Sequence, residues 1–435
     1  MSKKSISVIT LGCSKNTVDS EVLLRQLEAA GMETQHDPAE VKGGTVIINT
    51  CGFIRDAQEE SVEMILRFAE ARKRGEIDRL IVMGCLSQRF RDELQQEIPA
   101  VDSYYGVNDL AQIVRDAGAN YHYDLLTQRA LTTPSHYAYL KISEGCSRHC
   151  AFCSIPAIRG KHVSRPMEEI LREATWLAGR GVREIILIAQ DLTWYGRDIY
   201  GRQMLPALLK ELTARPFRWI RLHYAYPSAF PWEIISLMKE HDNICHYLDI
   251  PFQHISDDVL KRMRRGSSER TIRRLVERLR REVPDLALRT TFLVGHPGEK
   301  KKDMDKLLDF VRETRFERLG VFAYSHEEGT YAWRHYRDTL PEKVKQQRVE
   351  AVMSLQEGIV AEMNREKVGE TFTVLIDRRE GNYWIGRTQY DSPGVDQEVL
   401  VEADGTQKIK PGIFGSVKIT RAEGYDLAGV WTGIE

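Results

Sequence analysis

The sequence predicts an α/β multidomain chain with an open parallel α/β domain at the N-terminus, a partial TIM-type (β/α)6 barrel in the middle and an OB-like all-β barrel at the C-terminus. Three observations carry this. Short apolar runs alternate with helix-patterned segments from residue 5 to about residue 130. The alternation resumes at Tyr137 and yields six more strand candidates. The last seventy residues change to short β-rich runs punctuated by Gly, Pro and Asp.

In the first part, SISVITLGC, TVIINTC and RLIVMGC are apolar strands. They are separated by VDSEVLLRQLEAAG and AQEESVEMILRFAEARKRG, and SQRFRDELQQEI follows, all with helical periodicity. Thr132, Thr133, Pro134 and Ser135 form a linker-like cluster, which sets a boundary at residue 134. The middle strands are YLKIS, EIILIAQD, WIRLHYAYP, YLDIPFQH, ALRTTFLVG and RLGVFAYS. A helix starting at Pro341 leads out of the barrel, and the expected domains are 1–134, 135–365 and 366–435. TFTVLIDRR, YWIGRTQY, QEVLVEA and FGSVKITRAEGYDLAGVWTG then read as the strands of the small barrel.

A chain of 435 residues is too long for one ordinary core. Its 42% hydrophobic and 29% charged residues, with a net charge of -1, describe a globular protein rather than a disordered or membrane-embedded one. The start, MSKKSISVITLGCSKN, has no signal-peptide core, and no apolar stretch approaches the length of a membrane span. A cytoplasmic location is the expectation. Seven cysteines in such a chain point to metal ligation or catalysis before a disulfide framework.

Three of them, Cys146, Cys150 and Cys153, stand at C-x3-C-x2-C directly after a strand candidate. Three thiolates on one short loop can hold three irons of a 4Fe-4S cube and leave the fourth iron open to an exogenous ligand. A zinc ion is the competing reading, with His149 or His162 as the fourth ligand. Cys13, Cys51 and Cys85 each come at the carboxyl end of an apolar strand. Carboxyl ends share one edge of a parallel sheet, so these three converge despite their separation in sequence and predict a second three-cysteine cluster site. No G-x-G-x-x-G follows any strand, which disfavours a dinucleotide fold. Cys245 stands alone and receives no chemistry.

The loop motif resembles that of the radical S-adenosylmethionine superfamily. The resemblance implies that the amino and carboxylate groups of the cofactor chelate the fourth iron and that an electron from the cluster generates a 5'-deoxyadenosyl radical. It also places Phe152 against the adenine and Gln190, followed by Asp191, at the methionine amino group, although the usual Gly-Glu pattern is not spelled here. Gln253 and Gly295 lie at strand ends facing the same mouth, with ordinary rim packing as the alternative. The two cysteine sets in this order, followed by a small β-barrel, resemble the methylthiotransferase family over essentially the whole chain, the last part being its TRAM domain. That family implies two 4Fe-4S clusters, with S-adenosyl-L-methionine as both methyl donor and radical source.

Within the family, LGCSKNTVDSE is similar to the branch that modifies an aspartate Cβ of small-subunit ribosomal protein number twelve, whereas the tRNA branch usually has Gln-Met-Asn after that cysteine. GRTQYDSPGVDQEVLV, LKISEGC and YLDIPFQHIS are similar to the same branch. Charge gives a separate test, because an RNA-binding domain should be basic. Residues 366–435 hold eight Lys/Arg against twelve Asp/Glu, a net of -4 that repels RNA and suits a cationic protein. Residues 261–282 pull the other way with ten Lys/Arg against three acidic residues, read as a solvated helix face with ribosomal RNA contact as the alternative. Tyr383 and Trp384 are either barrel core or a recognition surface. A flavodoxin- or ferredoxin-like electron donor is expected, because cluster potentials span roughly -700 to +450 mV and sulfonium cleavage needs the low end. The alternatives are a tRNA methylthiotransferase and a zinc-binding, ribosome-docking module without catalysis.

Overall fold

The computed structural model describes residues 5–41, 43–403 and 408–435; Lys3 and Lys4 of the N-terminal reading lie outside them. The first part is a parallel five-stranded sheet. Strand β1 (Ser5–Thr10) leads through helix α1 (Ser14–Ala29) to β2 (Glu33–His36). Strand β3 (Thr45–Thr50), helix α2 (Arg55–Lys73), strand β4 (Arg79–Gly84), helix α3 (Cys85–Arg89) and strand β5 (Ser103–Tyr104) follow, in the sheet order β2-β1-β3-β4-β5. The three central strands are apolar because both faces are covered, with Val46, Ile48, Leu80 and Val82 on one side and Ile6, Val8, Ile47 and Ile81 on the other. The expected helix after Cys85 is broken at Phe90 into Cys85–Arg89 and Arg91–Glu97.

The middle part is a six-stranded parallel sheet whose strands neighbour one another in chain order. Its strands are Tyr137–Lys141, Glu184–Ile188, Trp219–Leu222, Ile244–Asp249, Ala287–Val294 and Arg318–Ala323. Side chains alternate between two faces with a period of two. Leu140, Ile185, Leu187, Ile220, Leu248, Leu288 and Phe292 point outward into the main core under the helices. The concave face carries Tyr137, Tyr139, Ile186 and Ile188, against which Val18 and Val22 of α1 pack. The N-terminal domain therefore covers part of the half-barrel's inner surface. The helix Glu342–Glu366 packs along the sixth strand and leads to the last part.

That last part is a closed five-stranded barrel formed by Thr371–Glu380, Tyr383–Arg387, Val399–Glu402, Phe414–Glu423 and Asp426–Ile434. Its core holds Val374, Val401, Val417, Leu427 and Trp431, with Trp384 packed against it half-buried. The run YWIGRTQY is strand only as far as Arg387. Residues 387–397 leave the small barrel and plug the N-terminal ends of the six large strands. There Arg387 bridges Glu184 and Asp377, Asp391 pairs with Arg318 at 2.8 Å, and Asp396 pairs with Arg289 at 3.1 Å. With this end sealed by charge pairs, the free mouth is at the strands' carboxyl ends.

Candidate functional site

Both cysteine sets lie at that mouth. Gly84 takes φ 102°, which only glycine adopts freely, and so turns the chain from β4 into α3 with Cys85 as its first residue. Gly12 takes φ 94° and comes so close to the next strand end that an added Cβ would lie 2.7 Å from Cys51 Cβ. Asn16 ties the three strand ends together. Its amide donates to the carbonyls of Leu11 at 2.8 Å and Thr50 at 3.1 Å, and its Oδ1 is 3.9 Å from Cys85 Sγ. Ser61 of α2 clamps the Cys51 backbone, accepting from its N–H and donating to its carbonyl, both at 3.0 Å. Cys51 and Cys85 are buried and Cys13 is exposed, and Cys13 lies close enough to be an electrostatic neighbour of both buried thiols.

The loop triad follows the first barrel strand. The Cys146 N–H donates to Gly160 O at 3.1 Å and the Cys153 N–H to Cys150 O at 3.2 Å, folding the loop on itself. Cys146 Sγ accepts from the Arg148 N–H at 3.4 Å, and Cys150 Sγ accepts from Arg265 Nη1 at 3.3 Å. The Tyr226 hydroxyl is 3.8 Å from Cys150 Sγ. Arg148 stacks over Tyr226 and Trp194 while Asp191 holds its Nε at 2.8 Å.

Arg159 joins the two triads. It ends the short helix Ile155–Arg159 that begins two residues after Cys153. Its Nε donates to Cys85 Sγ at 3.3 Å, its Nη2 to Asn16 Oδ1 at 2.6 Å, and its Nη1 to Asp19 at 3.1 Å and Glu144 at 2.9 Å. Burial works against its charge, but Asp19, Glu144 and Cys85 together more than offset that and raise its pKa. Glu144 is in turn held well below the ordinary carboxylate range, burial being outweighed by Lys141 and Arg159.

Burial pushes the thiols up: Cys85 and Cys153 to about 12 and Cys146 to about 11, with Cys51 raised as well. Metal-free, these are neutral groups, and ligation of iron displaces their protons. Among the described residues no three His, Cys, Asp or Glu side chains close on one point as a single ion requires. A cube takes each thiolate on a different iron, so the donor set suits a cluster. Donors without partners sit beside both sets: the hydroxyls of Ser14, Ser87 and Ser154, Arg148 Nη2 and Arg265 Nε. Such N–H and O–H groups suit an anionic sulfide cluster. His149 is exposed, and His162 Nε2 lies 3.0 Å from Ser164 Oγ.

Of the other expected cofactor contacts, Phe152 and Gln253 line one cavity of 770 Å3 together with Phe53, Thr291, Leu293 and Tyr324. It lies between the loop after Cys51 and the fifth and sixth barrel strands. Gln253 takes φ 72° and pairs its backbone with the fifth strand. Gln190 donates to Glu144 at 2.5 Å and keeps a buried Oε1 without a partner, an acceptor suited to an ammonium. Gly295 is turned elsewhere: its N–H donates to Glu299 at 2.7 Å, and a Cβ added to it would lie 2.5 Å from Lys345 Cγ.

Arg159, Arg148, Arg265, Tyr226, Lys15 and Asn16 were not singled out from sequence. Lys15 and Asn16 adjoin Cys13, and Arg159 follows Cys153 by six residues, so proximity to the motifs was the available signal. Arg265 had none, belonging to a basic run whose members have other engagements. Arg273 pairs with Glu313, Arg280 with Glu317, and Arg278 stacks on Trp232.

Family models match three stretches: the radical SAM superfamily over residues 140–311, the uncharacterized protein family UPF0004 over 5–106 and the TRAM domain over 368–432. The ribosomal protein uS12 methylthiotransferase RimO of Parabacteroides distasonis is 52% identical over 430 residues, 99% of each chain. The protein of the same name from Cytophaga hutchinsonii is 50% identical over 428 residues, 98% of each chain. Among solved structures, the radical S-adenosylmethionine methyltransferase TsrM from Kitasatospora setae, with cobalamin and a [4Fe-4S] cluster bound, superposes with a TM-score of 0.53 at 16% identity. The match covers 74% of this chain and 75% of that one. The likeness to TsrM concerns the fold.

Proposed function

The chain belongs to the RimO family of ribosomal protein uS12 methylthiotransferases, and from this premise we propose how its own residues serve the reaction. It is a radical S-adenosylmethionine enzyme that uses iron-sulfur clusters and transfers a methylthio group to uS12. The acceptor is Cβ of one aspartate. Cys146, Cys150 and Cys153 hold the cluster that cleaves the cofactor, and Cys13, Cys51 and Cys85 hold the one that carries the sulfur. When bound, these groups supply the electron, the hydrogen-abstracting radical and the methylthio unit.

The protein's part is placement and electrostatics. Arg265 and the Arg148 N–H donate to loop thiolates, stabilising their negative charge and tuning the cluster. Gln190 offers its free acceptor to the cofactor's amino group, and Phe152 and Gln253 face the shared cavity. Arg159 fixes the separation of the triads by gripping both domains at once. This single observation, one buried guanidinium from the loop-triad segment bonded to Cys85 of the other set, carries the reading that both act on one substrate.

The cavity between the domains admits the target loop. Asp56, Glu59, Glu327, Asp338 and Glu342 outnumber Arg55 and Lys345 along it, which favours a basic protein over a nucleic acid. The acidic terminal domain adds to the same preference, and no tRNA substrate is expected. A flavodoxin- or ferredoxin-like protein supplies the electrons. Among the described residues no helix is long and apolar enough to cross a membrane. The test is mass spectrometry of uS12 from cells with and without the gene: a methylthio increment on one aspartate that vanishes with the gene supports the reading, and unchanged uS12 with altered tRNA nucleosides overturns it.

A further inference from the structure

Lys15 follows the first cysteine by two residues and belongs to α1, the helix that lies on the concave face of the half-barrel. It is only 7% exposed. Its ammonium sits 3.2 Å from the centroid of the Tyr224 ring, and among the described residues no carboxylate or hydrogen-bond acceptor pairs with it. Asp249 is near enough to feel the charge but lies beyond ion-pair distance. Its oxygens are already engaged, Oδ2 accepting from the Tyr224 N–H at 3.2 Å and Oδ1 facing Arg289 Nη1 at 3.5 Å. The neighbouring cations differ: Lys141, Arg148 and Arg159 each have a carboxylate.

The ring under Lys15 is held in place at a cost. Tyr224 takes φ 63°, a left-handed conformation that a bulky side chain rarely adopts. Asp249 holds its N–H, and its carbonyl accepts from the Leu192 N–H at 3.1 Å. Strain of this kind persists where the surroundings enforce it, and it gathers at functional sites. Two residues further on, Tyr226 touches Cys150 Sγ. Lys15 thus stands two residues from Cys13 in the chain, and its aromatic seat two residues from Tyr226, which lies beside Cys150.

A cation shielded from most of the solvent and without a counter-charge is unfavourable, and an aromatic face offsets only part of that. The arrangement is complete once an anion arrives. We propose that Lys15 is the specificity residue that receives the carboxylate of the target aspartate and so holds its Cβ between the two cysteine triads. A carboxylate forms a charge-assisted hydrogen bond there, whereas the neutral amide of an asparagine forms a weaker one. The assignment rests on the reading of the chain as an aspartate-modifying enzyme.

The experiment crosses enzyme and substrate variants. Full-length protein loaded with both clusters, as wild type, Lys15→Met and Lys15→Arg, is given intact uS12 bearing either aspartate or asparagine at the target. Both kcat/KM and the dissociation constant of each uS12 form are measured. Wild type is expected to lose about 30-fold or more on the aspartate-to-asparagine change. Lys15→Met loses a similar factor on aspartate and discriminates between the two by less than about threefold, and Lys15→Arg restores most of the discrimination. A Lys15→Met enzyme with the wild-type ratio, a loss of bound iron, or a shift confined to the KM for S-adenosylmethionine overturns the assignment. If wild type leaves the aspartate untouched, the aspartate reading itself falls; if wild type modifies it and Lys15 is indifferent, this assignment alone does.

Discussion

Replacing Arg159 by Met tests the juxtaposition of the triads. The guanidinium satisfies Asp19 and Glu144 and binds Cys85 and Asn16, and without it both carboxylates share the single ammonium of Lys141. Removing one partner of a buried ion pair costs about 3–5 kcal/mol. Asp19 and Glu144 keep 16% and 23% of their side-chain exposure and retain Lys141, so the lower end applies, about 3 kcal/mol. At 1.4 kcal/mol per tenfold, local opening of this seam becomes about a hundredfold more frequent. Oxygen-free alkylation of the metal-free protein, resolved by mass spectrometry, reads this directly. Cys85, 5% exposed, should label about a hundredfold faster. Cys245, buried in the separate contact between the large and small barrels, should not change. Arg159→Lys should fall between, since one ammonium cannot span four acceptors. Unchanged labelling of Cys85, or equal acceleration of Cys245, would refute the view that Arg159 locks the seam.

Gly84→Ala puts a Cβ 2.5 Å from Asn49 Oδ1 and 2.6 Å from Thr50 O at φ 102°; anaerobic iron analysis should show about half the wild-type iron, with the loop cluster retained. Asp391→Ala leaves Arg318, 2% exposed, with Gln397 as its one side-chain hydrogen-bond partner among the described residues, and should cost about 3–5 kcal/mol, seen as release of the C-terminal barrel in limited proteolysis. The Asp377 carboxyl is held below its ordinary value, burial being outweighed by Arg387 and His136. Its contribution is therefore present above about pH 4 and lost as pH falls through the lower folded value, so thermal melts of wild type and Asp377→Asn should converge below about pH 4.

The large barrel was legible because its strand segments alternate with segments long enough for helices, and the small one because its short β-rich runs are punctuated by Gly, Pro and Asp; so was the convergence of Cys13, Cys51 and Cys85, which follows from parallel strands ending on one edge. Strands β2 and β5 were not. Glu33–His36 is a polar edge strand with no buried face, and Ser103–Tyr104 is two residues long. The plug at 387–397 reads as an ordinary polar loop. Thr388, Asp391, Ser392 and Gln397 are buried only because Arg221, Arg289, Arg318 and His223 point inward from strands distant in sequence. The basic run at 261–282 illustrates the converse: Arg265 donates to Cys150 while Arg273 and Arg280 serve ordinary ion pairs, and nothing in spacing separates them.

The central claim is that two independent thiolate triads each hold a cube at one mouth. Iron and acid-labile sulfide per chain, measured on oxygen-free preparations of wild type and of two triple variants, test it most directly. One variant carries Ala at Cys13, Cys51 and Cys85, and the other at Cys146, Cys150 and Cys153. The account predicts about eight irons in wild type and about four in each variant. Four irons in wild type, or a full complement in either variant, would contradict it.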